Sequence, residues 1–307
     1  MGFRLSQNRQ RVLQLIGTLL AIGLLVLLLR EDGWGEIMTA MKKTKTSHLL
    51  WVGVLFLVSR FSTVGRWHVL LRSADINIRF KDSVALTFTG LFASNFLPTT
   101  IGGDVVRLAG IMRMGFDRAV SLASIAADRL IGMLGMLMTF PLGLVYSWNI
   151  LQTGPAAFSS VAFFQRPAVF VKRTLSTFSI WIKKPTSLFI SLIFTWIHML
   201  CIFGSIFIFV NDLGSHVSFW MIAGLWSLTY FITLIPISIN GYGVQELVFT
   251  FLLSKVAGLT PAASLTIPVL IRAYLMISSL PGAIFLPSIL SAMTEREKKN
   301  PSPDVLL

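Results

Sequence analysis

Apolar stretches recur along the whole chain, and their length constrains the fold more than any other feature. A helix needs about 20 mainly apolar residues to cross the hydrocarbon core of a bilayer. The candidates for such spans are residues 12–29, 49–71, 119–147, 188–210 and 262–290. Hydrophobic residues make up 54% of the 307-residue chain and charged residues only 13%, which excludes an ordinary soluble domain. The sequence therefore predicts an all-α polytopic membrane protein.

The net charge of +13 at pH 7 raises the question of a nucleic-acid partner. The Lys and Arg residues fall mainly in short loops beside apolar stretches, where membrane orientation and anionic headgroups account for them. The one cysteine and four histidines form no CxxC or HExxH pattern, and the chain has no GxxxxGK[ST] loop. We therefore expect no nucleic acid, no metal ion and no cofactor.

Two regions contain breaks that an ordinary span lacks. Residues 83–97 and 104–114 are each too short to cross a membrane, and the turn-forming PTTIGG joins them. The second region runs from Gly224 through IPISINGYGVQE to Ser254 and repeats the same order of apolar residues, Pro and Gly, an acid, and apolar residues. Non-helical backbone at membrane depth persists only where protein or water covers it. The pattern predicts two re-entrant helical hairpins.

The distribution of basic residues predicts the orientation, since cytoplasmic loops are enriched in Lys and Arg. If residues 150–171 form a weak sixth span, the loops on one side carry 15 basic residues and those on the other carry five. The richer side is then the cytoplasmic face of the cell membrane, and both termini lie on it. Alternatively, residues 155–185 lie along the membrane surface, and the sixth crossing is then absent.

This orientation requires the two hairpins to enter the membrane from opposite faces. Residues 1–149 and 150–307 are then inverted half-repeats of a single membrane domain, an architecture of many secondary transporters. The expected fold has about six transmembrane helices plus the two re-entrant hairpins.

The hairpin acids stand at matching distances from an arginine in the following span. Asp104 precedes Arg129 by 25 residues, and Glu246 precedes Arg272 by 26. One interpretation is that these residues line a functional cavity. The alternative is a set of ion pairs, Asp104 with Arg129 or Arg107 and Glu246 with Arg272, that only fasten each hairpin to a helix.

Arg60 and Asp128 also lie inside predicted spans. Each charge at the bilayer centre costs roughly 2.5 to 3.5 kcal/mol on insertion scales, so such residues must face a polar interior or one another. They are therefore site candidates. Arg66 and Arg72, near the predicted cytoplasmic end of span 49–71, are instead expected to extend toward the headgroups, and we assign them no role.

The residues of the first hairpin suit a helix end, a tight turn and the start of a second helix. Pro98 is expected to end the descending half-helix, while Gly102 and Gly103 allow the turn and a close backbone approach. The first N–H groups of the returning half can receive an anion or the carboxylate of Asp104 itself. Arg107 follows one turn later on the same face, where it can contact a lipid phosphate. Asn240, Gly241, Gly243 and Glu246 are the counterparts in the second hairpin.

At these residues the sequence resembles the membrane domain of lysylphosphatidylglycerol synthases and its stand-alone relatives, which are often called flippase-like. The matching stretches are RWHVLLRS at 66–73, SNFLPTTIGGDVVRL at 94–108, ASIAADRLIGML at 123–134 and PISINGYGVQE at 236–246. The resemblance singles out Asn95, Pro98, Gly102, Gly103, Asp104, Arg107, Asp128, Arg129, Gly241, Gly243 and Glu246. It implies lipid translocation or handling without the aminoacyl-transfer reaction, which other members perform with an appended soluble domain.

The expected function is a lipid translocase that moves an anionic phospholipid or a polyprenyl-phosphate-linked lipid between leaflets. The alternatives are an integral membrane transferase that acts on a lipid, and a non-transporting partner of a lipid-modifying enzyme. No residue is expected to be catalytic, and the oligomeric state stays open. The expected headgroup-binding residues are Arg60, Asn95, Gly102, Gly103, Asp104, Arg107, Asp128, Arg129, Asn240, Gly241, Gly243, Glu246 and Arg272.

We predict that cysteines introduced at positions 1–8 and 297–307 become labelled from the same side of the membrane, because both termini are expected to be cytoplasmic. The measurement is labelling by an impermeant maleimide in intact cells and in inverted vesicles, with the native Cys201 replaced by Ser. Labelling of the two ends from opposite sides would disprove the inverted-repeat topology.

Overall fold

The computed structural model describes residues 44–96, 102–153, 183–235 and 238–287, together with residues 23, 35 and 42. No strand occurs among these residues, and the predicted all-α fold is confirmed for them. The predicted span 12–29 apart from residue 23, most of 150–171, the turn residues 97–101 with Pro98, and both chain ends lie outside the described residues.

Helices follow one another along the described ranges, separated by short turns. In chain order they are α1 (Thr46–Ser73), α2 (Phe80–Phe96), α3 (Gly102–Arg113), α4 (Arg118–Thr153), α5 (Pro185–Asp212), α6 (Phe219–Thr233), a 3-10 turn (Ile239–Gly241), α7 (Val244–Lys255) and α8 (Pro261–Ile277).

Three of the described helices are long and apolar enough to cross a membrane. They cover Thr46–Ser73, Arg118–Ile150 and Pro185–Asp212, and they match three of the predicted spans. The predicted span 262–290 differs, because α8 ends at Ile277 and a turn at 278–281 precedes a further helical segment at 282–287. Pro281 closes this turn, and a proline disfavours helical backbone in the residue before it.

The two short helices predicted on either side of the PTTIGG turn are α2 and α3, and they pack against each other. A Cβ atom on Gly103 would lie 2.3 Å from the carbonyl oxygen of Gly90, so the backbones touch at this point. The predicted close approach at Gly103 is therefore confirmed.

Helices α6 and α7 form the second packed pair. The chain between them passes through Asn240, Gly241 and Gly243, whose φ angles are 52°, 71° and 75°. Glycine adopts this left-handed region without strain, which explains the two glycines in the segment. Entry of the two helix pairs into the membrane from opposite faces stays a prediction.

The chain packs as two compact units. Unit 1 contains Met1–Leu57, Leu134–Pro167 and Met199–Leu275, and unit 2 contains Val58–Met133, Ala168–His198 and Met276–Leu307. Each unit therefore draws on segments that are distant in sequence. The half-repeats 1–149 and 150–307 stay a prediction.

Small residues allow two helices of unit 1 to approach closely. A Cβ atom on Gly143 of α4 would lie 2.3 Å from the carbonyl oxygen of Gly224 on α6. One turn away, the hydroxyl groups of Thr139 and Ser227 are 2.5 Å apart and form a hydrogen bond. In lipid the hydrophobic effect does not drive helices together, so such close packing and interhelical hydrogen bonds stabilise the pair.

We predict that Gly224→Ala lowers the thermal stability of the purified protein, because the added methyl group would overlap the α4 backbone. Overpacking of this kind costs about 1 to 3 kcal/mol. The control is Gly204→Ala on α5, where a Cβ atom meets only a Leu55 methyl group at 3.8 Å. Equal melting temperatures for the two variants in the same detergent would contradict the close helix contact.

Candidate functional site

Asp128 on α4 lies at the centre of a group of charged side chains in unit 2, and only 3% of its side chain is exposed. Its Oδ1 accepts a hydrogen bond from Arg66 Nε at 2.6 Å, and its Oδ2 accepts one from Arg107 Nη2 at 3.0 Å. A buried carboxylate is tolerated only when opposite charges and hydrogen bonds compensate for its lost hydration. The two arginines, from α1 and α3, supply both.

Asp104 extends this group toward the surface. Its Oδ2 accepts a hydrogen bond from Arg129 Nε at 2.9 Å and lies 2.8 Å from Arg129 Nη2, and its Oδ1 lies 3.4 Å from Arg107 Nη1. Arg107 thus contacts both acids. The five residues form a continuous line, Arg66–Asp128–Arg107–Asp104–Arg129, which we call the charged network. Three arginines and two aspartates give it a net charge of +1.

The Arg107 side chain is held from several directions. Its Cζ lies 3.8 Å from the centroid of the Trp67 ring, a distance typical of a cation–π contact. Gly90 leaves the space that this side chain occupies, since a Cβ atom there would lie 2.8 Å from Arg107 Cδ. The Nε of Arg107 is buried and has no hydrogen-bond partner among the described residues. This arginine therefore keeps one unused donor.

The prediction that Arg66 extends toward the headgroups is wrong. The residue is buried, and besides Asp128 its Nη1 lies 3.4 Å from Thr195 Oγ1 on α5. The reason is that this face of α1 packs against polar side chains of α4 and α5, which satisfy the guanidinium group inside the protein. The signal in the sequence that could have marked Arg66 as a site residue is the motif RWHVLLRS, which carried part of the resemblance. Arg72 is exposed, as expected, and bonds to Asn77.

Two further predicted residues of unit 2 contact the break that follows α8. Arg60 Nε donates to Ser278 Oγ at 2.9 Å, and Asn95 Nδ2 donates to Ser279 Oγ at 2.9 Å. Neither serine was among the predicted site residues, because the apolar pattern of residues 262–290 predicts a continuous span there. Their hydroxyl groups are acceptors for a buried arginine and for an amide of α2.

In unit 1 the pair Glu246–Arg272 is enclosed. Glu246 Oε1 accepts from Arg272 Nε at 2.5 Å, and its Oε2 accepts from the backbone N–H of Gly243 at 2.8 Å. Arg272 Nη2 also donates to Gln245 Oε1 at 2.8 Å, and its Cζ lies 4.7 Å from the Tyr242 ring centroid. Glu246 therefore acts as a counter-ion and also satisfies a backbone donor at the start of α7.

Both ion pairs that the sequence offered as the structural alternative are present. They differ in exposure: 50% of the Arg129 side chain is accessible and 22% of Asp104, against 13% of Arg272 and 5% of Glu246. The carboxylate of Asp104 bonds to two arginines, whereas the alternative role predicted for it was capping the helix. Gly102 and Gly103 are buried in the first turn of α3, while Asn240 and Gly241 belong to the left-handed turn before α7.

Fold and site together define an all-helical membrane protein that pairs its charged residues inside apolar helices. The chain belongs to the family described as the lysylphosphatidylglycerol synthase TM region, whose profile matches residues 14–282. This confirms the resemblance inferred from the motifs. The chain is also similar to the UPF0104 membrane protein PH1989 of Pyrococcus horikoshii, with 23% identity over 135 residues. That alignment spans 43% of this chain and about two fifths, 40%, of the relative.

We predict that Asp128→Asn destabilises the protein strongly, because it leaves Arg66 and Arg107 buried beside a neutral amide. Removing one partner of a buried ion pair costs about 3 to 5 kcal/mol. The control is Asp82→Asn, which removes the same charge from an exposed pair with Arg79 on the surface of unit 2. Thermal unfolding in one detergent provides the comparison, and equal stability of the two variants would show that the network does not hold α1, α3 and α4 together.

Proposed function

We propose that the protein is a lipid translocase that moves an anionic phospholipid or a polyprenyl-phosphate-linked lipid between the leaflets of the cell membrane. Membership of a family named for a lipid synthase supports a lipid-related membrane role. The charged network is the observation that carries the proposal, because its net positive charge lies within mainly apolar helices. A negatively charged headgroup is the ligand that this charge favours.

Arginine is the side chain best suited to such a headgroup. Its planar guanidinium group stays charged and offers several N–H donors in a fixed geometry that matches phosphate oxygens. Arg129 is accessible to a ligand because half of its side chain is exposed. Arg107, behind it in the network, retains an unused Nε donor. The headgroup therefore binds first at Arg129, with Arg107 reached only if the surrounding side chains shift.

The lipid chains stay in the bilayer while the headgroup moves. Large apolar side chains such as Leu122, Leu134 and Val145 are exposed along α4, and lipid tails can cover them. The mechanism contains no covalent step. Both oxygens of Asp128 are occupied by arginines, so this acid is a counter-ion and not a general base. The orientation proposed for the protein in the membrane is the one expected from the distribution of basic residues, with both termini cytoplasmic.

We predict that Arg129→Ala slows lipid translocation by about tenfold or more, since a hydrogen bond to a charged group contributes about 1.5 to 3 kcal/mol. The control is Arg72→Ala, which changes an exposed arginine near the end of α1 and should leave the rate near the parental value. The measurement uses proteoliposomes with fluorescent phosphatidylglycerol, and dithionite bleaches only the lipid in the outer leaflet.

Folded protein is quantified in the same vesicles, so that rate and yield are separated. If Arg129→Ala lowers only the yield and each folded molecule keeps the parental rate, the arginine has a structural role and does not bind the headgroup. Mass spectrometry of the extracted lipid tests the transferase alternative. An increase in lipid mass that depends on an added activated glycosyl donor would replace the translocase proposal with an enzymatic one.

A further inference from the structure

We infer that Asp104 occupies the phosphate-binding edge of Arg129 in the lipid-free protein, and that the phosphate of a lipid headgroup displaces it. The inference rests on the proposed function, since it specifies how an anionic headgroup gains access to this arginine. Asp104 is thus an internal competitor for the ligand. Its displacement couples headgroup binding to a change at the first turn of α3.

The geometry of the pair supports competition for one edge of the guanidinium group. Nε and Nη2 of Arg129 lie on the same side of that group, and Oδ2 of Asp104 lies against both: it accepts a hydrogen bond from Nε at 2.9 Å and is 2.8 Å from Nη2. Two N–H donors on one edge are also what an arginine presents to a phosphate group. A carboxylate and a phosphate cannot occupy this edge together.

Exposure distinguishes the exchangeable part of the network from its fixed part. Arg129 is half exposed and Asp104 is 22% exposed, whereas Asp128 is 3% exposed. Another anion can reach an accessible ion pair and break it, whereas breaking a buried pair leaves an uncompensated charge. The outer pair therefore exchanges partners, while Arg66, Asp128 and Arg107 keep theirs.

The displaced carboxylate retains a second partner. Oδ1 of Asp104 lies 3.4 Å from Arg107 Nη1, which is long for a charge-assisted hydrogen bond and leaves room to shorten. Rotation of Asp104 toward Arg107 therefore strengthens that contact as the contact with Arg129 is lost. One negative charge on the incoming phosphate brings the net charge of the network from +1 to zero.

The corresponding pair in unit 1 is not suited to the same exchange. Arg272 is only 13% exposed and also contacts Gln245 and Tyr242. Displacing Glu246 would in addition free the backbone N–H of Gly243 at the start of α7. The two acid–arginine pairs, which have nearly the same spacing in the sequence, thus have different roles, and exchange is assigned to Asp104.

The test is a calorimetric titration of the full-length protein in detergent with dihexanoyl phosphatidylglycerol. Dihexanoyl phosphatidylcholine and inorganic phosphate are titrated separately, to distinguish a lipid headgroup from a free anion. The variants are Asp104→Asn, Asp104→Ser in parallel should the amide fail to fold, and Arg129→Gln. Asp82→Asn is the matched control, because its side chain is 24% exposed and it also bonds to an arginine at 2.9 Å.

Removing the competitor should tighten binding of phosphatidylglycerol by about two- to fivefold, the range that corresponds to an exposed ion pair. Asp82→Asn should leave the affinity unchanged, and Arg129→Gln should abolish the difference between phosphatidylglycerol and phosphatidylcholine. If the parent binds phosphatidylglycerol but both Asp104 variants bind it equally or more weakly, the competition is disproved and the lipid site stands.

The remaining outcomes concern the proposed function itself. If neither the parent nor an Asp104 variant binds phosphatidylglycerol in preference to phosphatidylcholine, the anionic headgroup site is rejected and the competition with it. If inorganic phosphate binds as tightly as phosphatidylglycerol and responds equally to Asp104→Asn, exchange at Arg129 is supported, but the ligand is a free anion and the lipid assignment fails.

Discussion

A charged side chain inside an apolar helix must find a partner within the protein, and this requirement organises unit 2. Asp128 on α4 bonds to Arg66 on α1 and to Arg107 on α3, so one carboxylate connects three helices. In lipid the hydrophobic effect does not hold helices together, and close packing with interhelical polar contacts has to replace it. The approach of Gly103 to the Gly90 backbone brings α2 and α3 together, and Gly90 also leaves space for the Arg107 side chain.

The same requirement separates structural from exchangeable charges. A buried pair such as Asp128 with Arg66 is costly to break, because each buried ion would lose part of the compensation for its lost hydration. Arg129 and Asp104 are partly exposed, so another anion can reach Arg129 and take the place of Asp104. The network therefore combines a buried interior with an accessible end, and the proposed headgroup binding uses that end.

Much of the local structure followed from the sequence. The lengths of the apolar stretches predicted α1, α4 and α5, and the PTTIGG turn predicted the short helices α2 and α3. The sequence did not reveal the break after Ile277. The only local sign of it is Pro281, and a proline is an ambiguous sign because prolines also occur inside helices, as Pro268 does in α8. Hydropathy reports which residues avoid water, but an apolar helix break satisfies that preference as well as a continuous helix does.

By itself the sequence determined the class of protein, the three long helices that match its apolar stretches, and the candidate partners of its two hairpin acids. A charge within an apolar stretch has few possible partners, so the short candidate set already contained Asp104 with Arg129 and Glu246 with Arg272. Only the tertiary structure decided that Arg66 is buried against Asp128 and that the two acid–arginine pairs differ in exposure. Both outcomes depend on which helix faces pack together. That packing involves residues far apart in the sequence, and the spacing of residues along the chain does not specify it.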